Sequence, residues 1–198
     1  MIPAKHPETE RSFEIDFVWT AVEALDGTAY GFPNGLTPRM KVKYSSPAVY
    51  RWTVNSDKGK LVAIYFGETE NLYRRMGQYL RPGPSQKTNL RIKAQSDQAL
   101  LQRSSIGLEV LSFEAFTLNS VKFDDTCLGY SYMRQCLENL TLANFICISC
   151  NSGCIVMNVS ESKSEKMVLK ATADARRILD GLPASERKKT HCRAGRKI

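Results

Sequence analysis

The stretch that most constrains the fold is residues 48–80, where two strand-like segments precede a short helical one. Tyr50 and Trp52 lie two residues apart among β-branched neighbours, a period and a composition that predict a strand. A polar turn at residues 55–59 separates this segment from a second apolar run at residues 61–66. The two runs therefore predict an antiparallel hairpin with a loop of several residues, around which the rest of the chain must pack.

A helix is predicted directly after the hairpin. Gly67 ends the second strand, and the Thr69 hydroxyl is placed to cap the first free backbone amides of the helix. Arg75 and Tyr79 are four residues apart, so they are expected to stack on one face. The residues predicted to face the core also recur every four positions: Leu72, Met76 and Leu80.

Charge indicates the kind of partner. The 198-residue chain carries 28 Lys and Arg against 20 Asp and Glu, a formal charge of +8. Such an excess favours approach to a polyanion, so nucleic acid is the first partner to consider. The chain has no run of 18 apolar residues, and its polar beginning lacks the apolar core of a secretory signal. We therefore expect no membrane partner, a cytoplasmic location and reduced cysteines.

The outer parts of the chain predict appendages to a central domain. Phe13, Phe17, Ala21 and Ala24 follow a helical spacing that predicts a helix from Ser12 to about Gly27. Glycines and prolines then predict a basic connector without regular structure. The resulting division is an N-terminal arm and connector at residues 1–45, a central domain at 46–160, and a C-terminal helix with a basic tail at 161–198.

Further elements are predicted after the hairpin and its helix. In chain order they are a second helix or partly ordered segment at 86–104 that is basic on its outer side, a strand at 106–116, a helix at 124–144, short strands at 145–150 and 154–159 around a turn, and a helix at 164–181. The fold class is thus α/β, with a small, mostly antiparallel central sheet flanked by helices.

Two motifs in the hairpin resemble those of the GIY-YIG nuclease family. The first is Ala48-Val49-Tyr50 and the second is Tyr65-Phe66-Gly67, which is followed by Glu-Thr-Glu-Asn-Leu-Tyr-Arg-Arg. The glycine, the Asn-Leu pair and the arginine eight residues after the glycine fall in family positions. The first motif departs from the family pattern at Ala48 and Val49, and fourteen residues separate the motifs. The resemblance covers roughly residues 46–158.

The resemblance implies a metal-dependent endonuclease that hydrolyses DNA phosphodiester bonds. It assigns the catalytic positions to Tyr50, Tyr65, Arg75, Tyr79 and Glu138. Glu138 would hold Mg²⁺ or Mn²⁺, with Glu109 and Glu114 as competing carboxylates. A late asparagine that supports the site would be Asn158 or Asn151.

Phosphodiester hydrolysis gives these residue types their roles. The reaction needs an activated water, stabilisation of charge on the phosphoryl oxygens and help for the leaving oxygen. A planar arginine can hold the scissile phosphate through two hydrogen bonds, which suits Arg75. A carboxylate such as Glu138 can hold a hard divalent ion. By the resemblance, Tyr50 would accept the proton of the water, with its pKa lowered by the metal or Arg75, and Tyr65 and Tyr79 would position water and phosphate.

Double-stranded DNA is the partner that the resemblance and the charge imply. The N-terminal helix, the basic stretch at about residues 87–103 and the tail would contact its backbone. The candidate DNA-binding residues are Arg74, Lys87, Arg91, Lys93, Arg103, Lys188 and Lys189. A restriction-like or repair-like role fits, and double-strand cleavage would need a homodimer or two successive nicks. The alternative is a catalytically inactive basic nucleic-acid-binding module of the same fold.

Cysteines suggest a competing metal site. Cys147, Cys150 and Cys154 could bind zinc with His191 or Cys192. Strand character around Cys147 and Cys150 would place them on opposite faces, and no glycine-rich knuckle is present. Zinc is therefore disfavoured, and the cysteines are expected to be small buried hydrophobic residues.

Overall fold

The computed structural model describes residues 13–118, 121–149 and 153–158. Its strands are β1 (Phe13–Ala21), β2 (Ala48–Asn55), β3 (Leu61–Thr69), β4 (Ser105–Leu118), β5 (Val121–Phe123) and β6 (Ile155–Val156). Its helices are α1 (Pro38–Tyr44), α2 (Leu72–Leu80), α3 (Lys87–Leu101) and α4 (Ser131–Ser149), with a 3-10 helix at Asp125–Gly129 before α4.

These strands form one mixed sheet in the order β1-β4-β2-β3-β6, with β5 paired to β4. The pairings among β1, β2, β3, β4 and β5 are antiparallel, and β6 runs parallel to β3. The α/β class and the mostly antiparallel sheet predicted from the sequence are confirmed. The predicted hairpin is formed by β2 and β3.

Each face of the sheet buries an apolar core. On one face, Tyr50, Trp52 and Tyr65 pack with the buried sides of α2 and α3, represented by Met76 and Ile92. On the other face, residues such as Val49 and Phe66 pack with α4 through side chains that include Leu137 and Ile146. Because successive strand residues point to opposite faces, this alternation directs Tyr50 and Tyr65 toward α2.

The predicted N-terminal helix is wrong, because the segment is strand β1. It pairs with β4 from Phe13, opposite Leu118, to Ala21, opposite Glu109. A spacing of four fits a helix but is also a multiple of two, so Phe13, Phe17 and Ala21 equally suit one face of a strand. Val18, the neighbour of Phe17 on β1, points to the opposite face of the strand and is 64% exposed.

Three other local predictions are corrected. The connector contains helix α1, which begins at Pro38 and is capped by the Thr37 hydroxyl. The cap of α2 is Asn71, whose side chain accepts from the Arg74 amide at 2.8 Å, rather than Thr69. The segment predicted as a strand at residues 145–150 is helical to Ser149, so no hairpin forms with β6.

The helix predicted at 124–144 begins later, at Ser131, after the 3-10 helix. The strand predicted at 106–116 and the helix predicted at 86–104 are confirmed as β4 and α3. The helix predicted at 164–181 and the basic tail lie outside the described residues. Among the helices that the structure describes, none has the length and apolar character needed to span a bilayer.

Candidate active site

The register of the hairpin places Tyr50 directly opposite Gly67. The Tyr50 ring lies across this glycine, because a Cβ atom at Gly67 would be 2.5 Å from Tyr50 Cζ, 3.0 Å from Cε2 and closer still to the hydroxyl oxygen. Real Cβ atoms do not approach other atoms so closely. The glycine of the second motif therefore makes room for the tyrosine of the first.

The Tyr50 hydroxyl is the centre of a hydrogen-bonded group. Arg75 Nε donates to it at 3.0 Å, and it shares a 2.8 Å hydrogen bond with the Tyr79 hydroxyl. The Arg75 guanidinium lies over the Tyr79 ring, 4.9 Å from its centroid, as the spacing on α2 predicts. Arg75 Nη1 also donates to Gln78 at 3.2 Å. Tyr50, Arg75 and Tyr79 thus form one connected unit.

Arg75 keeps donors for a ligand. A guanidinium carries five N–H groups, of which the Tyr50 and Gln78 contacts use two. The other three have no acceptor within the part of the chain that the structure describes. Three neighbouring side chains fix the plane of the guanidinium, so these free N–H groups have a set direction.

Tyr65 completes the aromatic group. Its ring centroid is 6.5 Å from that of Tyr50 and 6.1 Å from that of Tyr79. The Tyr65 hydroxyl has no hydrogen-bond partner among the described residues. Tyr65 is 7% exposed, and its hydroxyl is not among the buried atoms without a partner in this part of the chain, Trp52 Nε1 and Gln95 Oε1. Tyr50 and Tyr79, at 0% and 2% exposure, are enclosed.

Burial changes the ionisation of the enclosed tyrosines. It raises the pKa of Tyr50 above its ordinary value of 10.0, and Arg75 opposes this rise without reversing it. Burial likewise raises the pKa of Tyr79. Both phenols are therefore neutral at pH 7, and Arg75 alone does not lower the pKa of Tyr50 as the sequence reasoning expected.

Glu138 lies on α4, about sixty residues after Tyr79, yet its carboxylate feels charges of the site. Burial and the charge of Glu68 raise the pKa of Glu138 to about 7, while Arg75 lowers it in part. The Glu138 carboxylate accepts no hydrogen bond or ion pair from any residue that the structure describes. Of its predicted competitors, Glu109 is paired with Arg51 and Glu114 is exposed on β4.

Arg134 and Glu68 fix α4 next to the hairpin. Arg134 is 5% exposed, and its Nε donates to Glu68 at 2.7 Å. Its Nη1 donates to the carbonyl oxygens of Leu128 at 2.7 Å and Gly129 at 3.2 Å. Arg134 therefore pairs with Glu68 rather than with Glu138. Because Glu138 is one helical turn after Arg134, the ion pair orients Glu138 relative to β3.

Asn158, which lies just after β6, supports β3. Its side chain accepts from Phe66 N and donates to Phe66 O, both at 2.8 Å. The two bonds hold the backbone directly between Tyr65 and Gly67. Asn151, the other asparagine considered, lies outside the described residues.

Three residues at the site were not predicted from the sequence. Gln78 fixes Arg75, Glu68 faces Glu138, and Arg134 binds Glu68. A spacing of three from Arg75 on a helix could have indicated Gln78. The pairing of Glu68 with Arg134 spans 66 residues, and no local pattern could have found it.

The predicted DNA-contacting residues differ in their surroundings. Arg74 and Lys93 are each engaged by a carboxylate four residues away, Glu70 and Asp97 respectively. Lys87, Arg91 and Arg103 form no ion pair with any described residue. Lys188 and Lys189 lie outside the described residues.

No group of three or more His, Cys, Asp and Glu side chains converges among the described residues. For the zinc hypothesis, Cys147 is exposed on α4 rather than on a strand, and Cys150, His191 and Cys192 lie outside the described residues. The strand position predicted for Cys147 is therefore wrong, and so is the burial expected for it.

Comparison of the chain with family models, with curated proteins and with solved structures finds no match.

Proposed function

We propose that the chain is a GIY-YIG-type, metal-dependent DNA endonuclease with a restriction-like or repair-like role. The observation that carries the proposal is that Arg75, with three free N–H groups, is held by Tyr50 and Tyr79 while the unpaired Glu138 carboxylate lies within its electrostatic range. An anchored guanidinium can bind phosphodiester oxygens, and a free carboxylate in its electrostatic range can hold a divalent ion.

Each side chain of the site has its own role in the proposed reaction. Arg75 binds the phosphoryl oxygens through the N–H groups that Tyr50 and Gln78 leave free. The Tyr65 hydroxyl, unpaired among the described residues, orients the attacking water. The Tyr50 and Tyr79 hydroxyls, enclosed and bonded to each other, hold the guanidinium in place and keep bulk water from that side. Glu138, when it is ionised, adds a negative charge within the electrostatic range of Arg75.

Mg²⁺ or Mn²⁺ fits the Glu138 side chain, since a carboxylate without a protein partner is a hard oxygen ligand and Mg²⁺ keeps most of its waters. Glu138 would hold the ion, and the ion when bound supplies stabilisation of the leaving oxygen. An ion next to Glu138 would also favour the ionised carboxylate that burial and Glu68 disfavour.

One observation favours a second candidate, a nucleic-acid-binding module of the same fold that does not cleave. Tyr50 is 0% exposed and its hydroxyl is bonded to Arg75 and Tyr79, so water from solvent does not reach it in this arrangement. An enzyme that requires Tyr50 as the proton acceptor would have to rearrange the hydrogen bonds among Tyr50, Arg75 and Tyr79 so that a water can reach Tyr50. A binding module would not.

Plasmid cleavage separates the two candidates. Supercoiled plasmid is incubated with Mg²⁺ or Mn²⁺ and the wild-type protein, Arg75→Gln or Glu138→Gln. Matched controls are Arg74→Gln and Glu70→Gln, which remove exposed members of a surface ion pair on the same helix end. We expect the site variants to lose at least about a hundredfold in rate, the typical effect of removing one oxyanion-binding group, and the controls to cleave as the wild type does.

Binding by the wild type without cleavage in either metal would favour the module. Cleavage that survives both Arg75→Gln and Glu138→Gln would refute the site.

A further inference from the structure

The chain contains a long segment without acidic residues. From Asn71 to Ser96, which spans α2, the turn after it and most of α3, there are six Lys and Arg and no Asp or Glu. One of the six is Arg75. The segment that carries the anchored arginine thus bears positive charges only.

Ion pairs divide these six residues. Arg74 and Lys93 are engaged by Glu70 and Asp97, which flank the segment on either side. Arg81, Lys87 and Arg91 form no ion pair with any residue that the structure describes. Arg81 and Lys87 are exposed, and Arg91 is half-buried one helical turn after Lys87. We name these three residues the basic turn.

The backbone under the basic turn is fixed. Gln86 Oε1 accepts from Gly83 N and from Asn89 Nδ2, both at 3.1 Å, and Gln86 N donates to Gly83 O at 3.0 Å. Pro82 and Pro84 further restrict the turn. Helices α2 and α3 pack against each other at this point. The three cations are therefore presented on a rigid support, which lowers the entropic cost of binding.

Several other exposed cations have acidic neighbours. Arg39 and Lys43 on α1 share a small surface pocket with Glu23 and Asp26, and Lys43 is bonded to Glu23. Lys58 follows Asp57, and Lys122 precedes Asp124 and Asp125. A polyanion gains less at such places, because nearby carboxylates repel it.

We infer that the basic turn is the surface along which the sugar–phosphate backbone of double-stranded DNA leaves the Arg75 site. This inference rests on the proposed function, since it takes DNA as the partner. Arg81, Lys87 and Arg91 each contact a phosphate and supply affinity without reading sequence. Arg74 and Lys93 carry the same charge as these three residues. They contribute little, because Glu70 and Asp97 already neutralise them.

Fluorescence anisotropy with a labelled DNA duplex tests the inference over a series of salt concentrations. The full chain is compared with the triple variant Arg81→Gln, Lys87→Gln, Arg91→Gln. The control is Lys43→Gln, Arg74→Gln, Lys93→Gln, which removes the same charge at exposed or half-buried positions in ion pairs. Circular dichroism melting checks that both variants fold.

The salt dependence gives the expected size. Each phosphate contact adds about 0.9 to the slope of log K against log salt, so the basic-turn variant should lower the slope by up to about 2.7. The control should change it by less than about 1. Equal changes in the two variants would show a general charge effect and overturn the inference. An unchanged slope in the basic-turn variant would overturn it as well.

Cleavage by the same proteins separates this inference from the proposed function. If the wild type binds through the basic turn but cleaves with neither metal, the enzyme proposal fails and the basic turn stands. If the wild type cleaves and the basic-turn variant binds and cleaves equally well, the basic turn fails and the enzyme proposal stands. If the wild type binds no DNA, both fail.

Discussion

Gly67→Ala is the sharpest test of the site geometry. The new methyl group would lie 2.5 Å from Tyr50 Cζ, so the Tyr50 ring or the strand must move. Overpacking of this kind costs about 1–3 kcal/mol. Displacing Tyr50 also removes the hydrogen bond from Arg75, and such bonds to charged groups contribute about 1.5–3 kcal/mol. We expect a net loss of about 3 kcal/mol in the free energy of unfolding.

The measurement is urea unfolding followed by circular dichroism, with Gly77→Ala as the matched control. Gly77 lies within α2, and its nearest contact would be Leu36 Cδ1 at an ordinary 3.8 Å. Alanine there should stabilise the protein by up to about 1 kcal/mol, because glycine is a poor helix former. The two Gly→Ala changes are thus expected to have opposite signs.

A double-mutant cycle identifies the cause of the loss. In a Tyr50→Val background the ring is gone, so Gly67→Ala should cost less than about 0.5 kcal/mol, leaving a coupling energy of about 2 kcal/mol or more. Unchanged stability of Gly67→Ala in the wild-type background would contradict the close contact with Tyr50. The full cost in the Tyr50→Val background would show that the contact with the Tyr50 ring is not its cause.

Three further predictions concern Glu138, Asn158 and Arg134. The folded state raises the pKa of Glu138 to about 7 and so favours its protonated form, and the wild type should lose stability relative to Glu138→Gln as pH rises from about 4.5 to above 7. Urea unfolding at pH 5 and pH 8 checks this, and a constant difference would contradict it. Asn158→Ala leaves Phe66 N and O without their side-chain partners, which should cost about 1–3 kcal/mol or, at about 2–4 °C per kcal/mol, a clear fall in Tm. Asn158→Asp, which keeps the acceptor alone, should fall between the two, and a Tm like that of the wild type for Asn158→Ala would count against the role. Arg134→Met leaves Glu68 unpaired and should cost about 3–5 kcal/mol, against less than about 1 kcal/mol for Arg74→Met in an exposed pair. Similar costs for the two arginines in urea unfolding would show that burial does not set them apart.

Local spacing allowed one part of the site to be predicted from the sequence. The alternation of β2 and β3 directs Tyr50 and Tyr65 to the same face, and the spacing of four on α2 stacks Arg75 on Tyr79. These relations hold within some thirty residues and depend only on the periods of strand and helix. They were correct for that reason.

Prediction failed where one pattern fitted two structures. Phe13, Phe17 and Ala21 are spaced for a helix and also for a strand, and only pairing with β4 decides between them. The apolar β-branched run at residues 145–149 looked like a strand, yet Leu137, Thr141 and Phe145 continue the α4 face at steps of four. Phe145 then packs on Phe66, with ring centroids 5.7 Å apart. Tertiary packing decided both cases.

Burial separates two roles among the three tyrosines of the site. The Tyr50 and Tyr79 hydroxyls are hydrogen-bonded to each other, and Tyr50 also accepts from Arg75. Burial keeps both phenols neutral. Tyr65 has the hydroxyl without a partner among the described residues. If the chain cleaves DNA, the enclosed pair acts by fixing the direction of Arg75, and the groups that meet a phosphate and its water are Arg75, Tyr65 and Glu138. Gly67 connects the two sets, because the ring of Tyr50 can reach Arg75 only across a residue without a side chain.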